Sequence, residues 1–232
     1  MTLHGLTVAV TGAGRDLGRR LAVTFAERGA DVLVSARDKA AAEATAKAAR
    51  NRGPGTAAAF TCDLADPDSV RAFTEAVAAH TDHLDVLINN GAPYLHGELE
   101  DATDEEIATV ITAGATGTVL LTRHLLPLLK ASARPDIVTL VSAAGEPGQH
   151  RSGAHPAFYA AKHAQAGLTE ILAARLRPEG IRVISLYPPD FTQEGPRVAG
   201  APLTAESVAD CVLFAVGQPR DCFIREFRFE QL

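Results

Sequence analysis

Short apolar runs alternate with longer stretches in which apolar residues recur every three or four positions. The runs lie at residues 6–11, 31–35, 57–62, 84–89, 136–142, 181–187 and 222–229, bounded by Gly, Pro, Asn or Asp. Most are rich in β-branched residues, the signature of strands in βαβ units around a parallel sheet. The intervening segments 17–28, 39–50, 67–80, 104–130, 156–176 and 204–216 carry helical spacing. Thr103, followed by Asp104, Glu105 and Glu106, supplies a hydroxyl cap and an acidic first turn to the longest of them. Strand and helix in strict alternation, joined by right-handed crossovers, predict an α/β fold: a doubly wound, seven-stranded parallel sheet with helices on both faces. With 232 residues, 47% of them hydrophobic, the chain is long enough for one substantial core, and a single domain over residues 1–232 is expected.

Charge narrows the ligand class. A formal net charge of −6 lacks the basic excess that displaces counterions from a phosphate backbone, so a small molecule is expected and a nucleic acid is not. Cys62, Cys211 and Cys222 are widely separated, without metal-ligand spacing, and no metal is expected. No run of 18 uncharged apolar residues occurs, and no basic segment leads into an apolar one near Met1. A cytoplasmic, soluble protein with no membrane partner is the expectation.

Candidate chemistry begins after the first strand, at Thr11-Gly12-Ala13-Gly14-Arg15-Asp16-Leu17-Gly18. Glycines there permit a tight turn and close backbone approach, and the free N–H groups of the following helix start attract a phosphate. The segment resembles the Thr-Gly-x-x-x-Gly-x-Gly pattern of the short-chain dehydrogenase/reductase family, with Asp16 in place of the middle glycine. Cys62-Asp63-Leu64 resembles the family's strand-end aspartate that meets adenine. Asn89-Asn90-Gly91-Ala92 resembles its Asn-Asn-Ala-Gly turn with the last two residues exchanged. The resemblance covers almost the whole chain and implies a Rossmann-like, NADP(H)-binding domain. The cofactor is expected to meet Gly12, Gly14, Arg15, Asp16, Leu17, Gly18, Arg37, Asp63, Leu64, Asn90, Gly91, Lys162 and Pro188. About 20 residues beyond the glycines stands Asp38, whose position alone points to NAD through a ribose hydroxyl. The second strand, however, ends on Ser35, and Arg37 with Arg15 offers charge-assisted bonds to a 2′-phosphate, which favours NADP(H).

The family's catalytic pattern is a serine after the fifth strand, a Tyr-x-x-x-Lys on the next helix and an asparagine in the preceding long helix. Ser142 and Lys162 match the serine and the lysine. Phe158 stands where the tyrosine is usual, and Gly114 where the asparagine is usual. Phenylalanine has no proton to give. Tyr159 is adjacent, but one helical residue turns its side chain by 100°. Other acids near the strand C-termini are Tyr94, Glu146, His150, Arg151 and His155. Gly114 and Gly117 also read as sites of close helix packing. Three functions remain open: an NADPH-dependent oxidoreductase with a non-standard proton relay, acting on a carbonyl or imine; a non-redox cyclase, dehydratase or isomerase; and a non-catalytic NADP-binding subunit. The resemblance further implies a homotetramer or dimer packed through the long helices.

Overall fold

The computed structural model describes residues 3–149 and 152–230. Its strands are β1 (Thr7–Val10), β2 (Asp31–Ala36), β3 (Ala57–Thr61), β4 (Val86–Asn89), β5 (Asp136–Leu140), β6 (Arg182–Tyr187) and β7 (Glu226–Arg228). They form one 7-stranded sheet in the order β3-β2-β1-β4-β5-β6-β7. Every neighbouring pair runs parallel. The expected doubly wound α/β sheet is therefore present. The chain winds outward from β1 to β3 and then returns past β1 to β4, so the crossovers beside β1 and β4 leave on opposite faces. A crevice opens at that switch point, above the strand C-termini.

Helices α1 (Asp16–Glu27), α2 (Lys39–Arg50) and α7 (Ala205–Gly217) close one face over Val8, Val10, Val32, Val34 and Ile184. Helices α3 (Pro67–His80), α5 (Thr118–Ala131) and α6 (Pro156–Leu176) close the other over Leu33, Leu87, Ile137 and Val183. Strands β1, β4, β5 and β6 are buried along their whole length, with the polar Asp136, Thr139, Arg182 and Ser185 buried among the apolar residues. Side chains cap most helix starts: Asp38 accepts from Ala40, Asp66 from Asp68, and Thr103 forms a reciprocal capping box with Glu106.

Two expectations change. The helix over 104–130 is not continuous: α4 (Asp104–Ile111) passes through a π-helical turn, Thr112–Gly117, before α5 begins. Its glycines are packing residues. A Cβ on Gly114 would stand 2.8 Å from the Ala161 Cβ, and one on Gly117 would collide with the Leu64 carbonyl oxygen. The last strand shrinks from 222–229 to Glu226–Arg228, because the approach to it is held by a side chain instead of a ladder. The Arg182 guanidinium, 1% exposed, donates to the carbonyls of Val216, Gln218 and Cys222 at 3.1, 3.2 and 3.1 Å.

That arginine belongs to a buried charge cluster at the lower edge of the sheet. Asp136, at the start of β5, accepts from Arg182 Nε at 2.8 Å and Nη2 at 2.6 Å, and from Arg220 Nη1 at 2.6 Å. Removing one partner of such a cluster leaves buried charge without compensation. Asp136→Ala is expected to lower the unfolding free energy by about 3–5 kcal/mol, read from denaturant titration. A loss below about 1 kcal/mol would show that Arg182 finds other compensation.

Candidate active site

The glycine turn after β1 is built against the turn after β4. The Thr11 hydroxyl donates to the Ile88 carbonyl at 3.2 Å and accepts from the N–H groups of Asn90 and Gly91, each at 3.1 Å. The Asn90 amide donates to the carbonyls of Thr11 at 3.0 Å and Gly12 at 3.2 Å. So close an approach excludes side chains: a Cβ on Gly12 would lie 2.5 Å from Gly91 Cα, and one on Gly18 would strike the Gly12 carbonyl. Gly12 also has φ +61°. Asp16 has φ 52°, the left-handed backbone that glycine adopts without cost and aspartate tolerates better than most residues. Its carboxylate sits 3.4 Å from Arg15 Nε, and both side chains are largely in solvent, so this pair contributes little.

Helix α1 starts at that turn without a side-chain cap, whereas α2, α3, α4, α6 and α7 each begin with one. Its first-turn N–H groups open onto a cleft of about 980 Å³. Gly12, Gly14, Arg15, Asp16, Leu17, Gly18, Arg37, Asp63, Leu64, Asn90, Gly91, Ser142, Phe158, Lys162 and Pro188 all line it. The sequence expectation thus collects in one place, with Tyr159 and Gly114 outside it. Arg37 is exposed and makes no ion pair among the described residues. Asp38 is engaged as the α2 cap, its Oδ1 2.8 Å from the Ala40 nitrogen. Asp63 holds its own turn, accepting from the Ala65 N–H at 2.9 Å. The Cys62 thiol is pushed up to about 12 by burial first and by Asp63 and Asp66 next, which leaves it protonated and unreactive.

At the inner end of the cleft Ser142 follows β5 with φ 82° and ψ 150°, an unfavourable backbone for a residue with a Cβ, and its hydroxyl accepts from the Ala144 N–H at 3.3 Å. Phe158 lies on α6, 7% exposed, edge-on to Tyr94 with ring centroids 5.1 Å apart. Lys162, one turn further along, is buried with its ammonium 5.5 Å from the Phe158 centroid. The ammonium donates to the Leu140 carbonyl at 2.8 Å and to Gln165 Oε1 at 3.0 Å.

Four candidates are not brought to the cleft. The Tyr159 hydroxyl donates to the Ser152 carbonyl at 3.3 Å, on the side of α6 turned from Phe158. His155 is fully buried as the α6 cap: Nδ1 accepts from Ala157 at 3.0 Å, which leaves Nε2 to donate to the Leu99 carbonyl at 3.3 Å. Glu146 pairs with Arg228 at 2.6 Å. Gly114 packs against Ala161, so an asparagine there has no room. His150 and Arg151 lie outside the described residues. Of the alternative acids among the described residues, Tyr94 alone reaches the cleft, half-exposed. Sequence reasoning missed Gln165 and Thr118, whose signal is a polar residue on an otherwise buried helix face; it also missed Thr109, Phe191 and Gln193 as lining.

The short chain dehydrogenase family profile matches residues 6–195. The chain belongs to that family. It is 34% identical over 188 residues to 2,5-dichloro-2,5-cyclohexadiene-1,4-diol dehydrogenase of Sphingobium indicum, covering 80% of this chain and 72% of that protein. To D-threitol dehydrogenase of Mycolicibacterium smegmatis it is 29% identical, over 80% of this chain and 70% of the other. Among solved structures, a metagenomic short-chain oxidoreductase in complex with NADP superposes with a TM-score of 0.84 at 28% identity, covering 100% of this chain and 99% of that one.

In this short-chain dehydrogenase, burial alone pulls Lys162 down to about 7. The unfolded chain, with an ordinary lysine, binds the proton more tightly than the folded one across the window from about 7 to 10.5. The burial cost is therefore present below pH 7 and is relieved as pH rises through that window. Unfolding free energy is expected to rise with pH there, with a limiting slope of about 1.4 kcal/mol per pH unit. Lys162→Met should remove that part of the slope, measured as the difference between two denaturation series.

Proposed function

We propose that the chain is an NADP(H)-binding oxidoreductase that transfers hydride between the cofactor and a small organic carbonyl or imine, with a non-standard proton relay. One observation carries the reading: the uncapped start of α1 opens onto the same cleft in which Ser142 and Lys162 flank Phe158. The residues present suit the cofactor. Free first-turn N–H groups on α1 meet its pyrophosphate. Arg37, beside the end of β2 and without an ion pair among the described residues, would with Arg15 hold a 2′-phosphate, while Asp38 is occupied in capping. The NADP complex of the metagenomic relative supports the same choice. We take residues 1–232 as one cofactor-binding domain, cytoplasmic, and a homotetramer or dimer whose contacts include Ile111, Val119 and Ile171, all exposed.

When bound, the nicotinamide supplies or accepts the hydride. Lys162 keeps one N–H for the nicotinamide ribose, and the Ser142 hydroxyl orients the substrate's polar atom. Phe158 occupies the family's tyrosine position and shields the reacting centre from water, but it holds no proton. An alkoxide formed there takes its proton from elsewhere, whereas a cationic imine carbon needs none. The same gap supports a second reading, a non-redox enzyme or a non-catalytic NADP-binding subunit.

Calorimetry is expected to give NADP(H) at least about tenfold tighter binding than NAD(H), and Arg15→Ala with Arg37→Ala should erase the difference. A preference for NAD(H) in the unmodified protein would reverse the cofactor reading. Phe158→Tyr should raise NADPH-dependent carbonyl reduction by at least about tenfold, part of the 10²–10⁴ that a positioned acid supplies. Tyr159→Phe should leave native activity nearly unchanged. If Tyr159→Phe abolishes reduction and Phe158→Tyr does nothing, the proton comes from Tyr159 and the assignment of α6 is wrong.

A further inference from the structure

We propose that Gln165 is a positioning residue that fixes the Lys162 ammonium at the inner end of the cleft by tying it, through Thr118, to the π-helical turn at Gly114. Resting on the functional reading above, this assigns a role to a side chain that does not touch the cleft. Gln165 is 1% exposed and Thr118 2% exposed. The direction of every bond in the chain is forced. An ammonium only donates, so the amide oxygen of Gln165 faces Lys162 at 3.0 Å. Its amide nitrogen then donates to Thr118 Oγ1 at 3.0 Å, and that hydroxyl donates onward to the Gly114 carbonyl at 2.8 Å. The Gly114 carbonyl belongs to the irregular turn between α4 and α5, so the lysine on α6 is keyed to that turn's backbone.

The anchoring has a chemical consequence. Lys162 has three N–H bonds; the Leu140 carbonyl and Gln165 take two, and one remains for a ligand. Around the ammonium stand the end of β5, the Phe158 ring and Gln165, none of them ionisable. Burial disfavours its charge, and among the described residues no acid from β5, β6, the π-helical turn or α6 offsets that. The Gln165 oxygen is thus one of two neutral acceptors that favour the charged form, and its removal favours the neutral amine. A carboxylate in its place does the reverse.

The test reads Lys162 directly. Lys39, Lys47 and Lys130 are exposed, so the ε-carbon resonance of buried Lys162 titrates apart from theirs in ¹³C-lysine-labelled protein without cofactor. Gln165→Leu is expected to lower the Lys162 midpoint by about one pH unit, a tenfold loss of proton affinity. Gln165→Glu should raise it by at least about as much, and Thr118→Val should lower it by less than Gln165→Leu. NADPH affinity, measured by calorimetry from about pH 6 to about pH 9, should move its pH dependence in step with those midpoints. A purely structural glutamine would change the melting temperature alone. Midpoints within about 0.2 pH units of the parent in all folded variants overturn the proposal, and if Gln165→Leu does not fold, the other two variants decide it. Should NADPH fail to bind any of these proteins, the cofactor reading falls while the titration still decides the role of Gln165.

Discussion

Backbone touches backbone where the glycine turn after β1 meets the turn after β4, and the upper edge of the molecule is arranged around that contact. Thr11 and Asn90 stitch the two turns together, and Gly12, Gly18 and Gly91 leave out the side chains that would hold them apart. Once the turns are seated, α1 has only one direction in which to leave, and its N–H groups face the cleft. Asn90 is therefore a builder of the site: its amide is spent on the loop's own carbonyls. The same close approach brings Leu64 against Gly91 and, from its carbonyl, against Gly117, so the π-helical turn is seated on it too.

Much of this was legible in the sequence because the constraints are local. Short β-branched runs alternating with helical spacing announce a parallel α/β sheet, and glycines at a strand-to-helix turn mark a close approach. The expectation that Ser142, Phe158 and Lys162 share one cleft came from the resemblance to the family's catalytic pattern, and all three line it. What was illegible depends on side chains meeting across sequence distance. The expected long helix hid a π-helical turn, which lies where Gly114 packs close to Ala161 and Gly117 close to Leu64, contacts between residues far apart in sequence. The final strand came out short because Arg182, 40 residues earlier than Cys222, holds the carbonyl that a ladder would have used. Asp38 and His155 looked like chemistry and are helix caps, each accepting from a backbone N–H two residues on.

Asp16 shows how a pattern can be broken while its geometry is kept. The backbone at that position retains the left-handed conformation that the family's glycine would adopt, and the carboxylate turns toward Arg15 in solvent. The turn's shape is set by its neighbours, and the residue conforms to it. The local cost of a Cβ there is modest, on the order of 1 kcal/mol. A departure from the motif at Asp16 is thus a change of charge near the phosphate site more than a change of fold.

The buried Asp136 cluster sits at the lower edge of the sheet, at the opposite end of β5 and β6 from Ser142 and Tyr187. Structural security and chemistry therefore occupy different ends of the same strands. The contacts that hold the last helix at the lower edge, from Arg182 to the Val216 and Gln218 carbonyls, include no residue of the cleft. Such a division gives the upper residues latitude: the chemistry of the cleft can change without renegotiating the architecture that carries it.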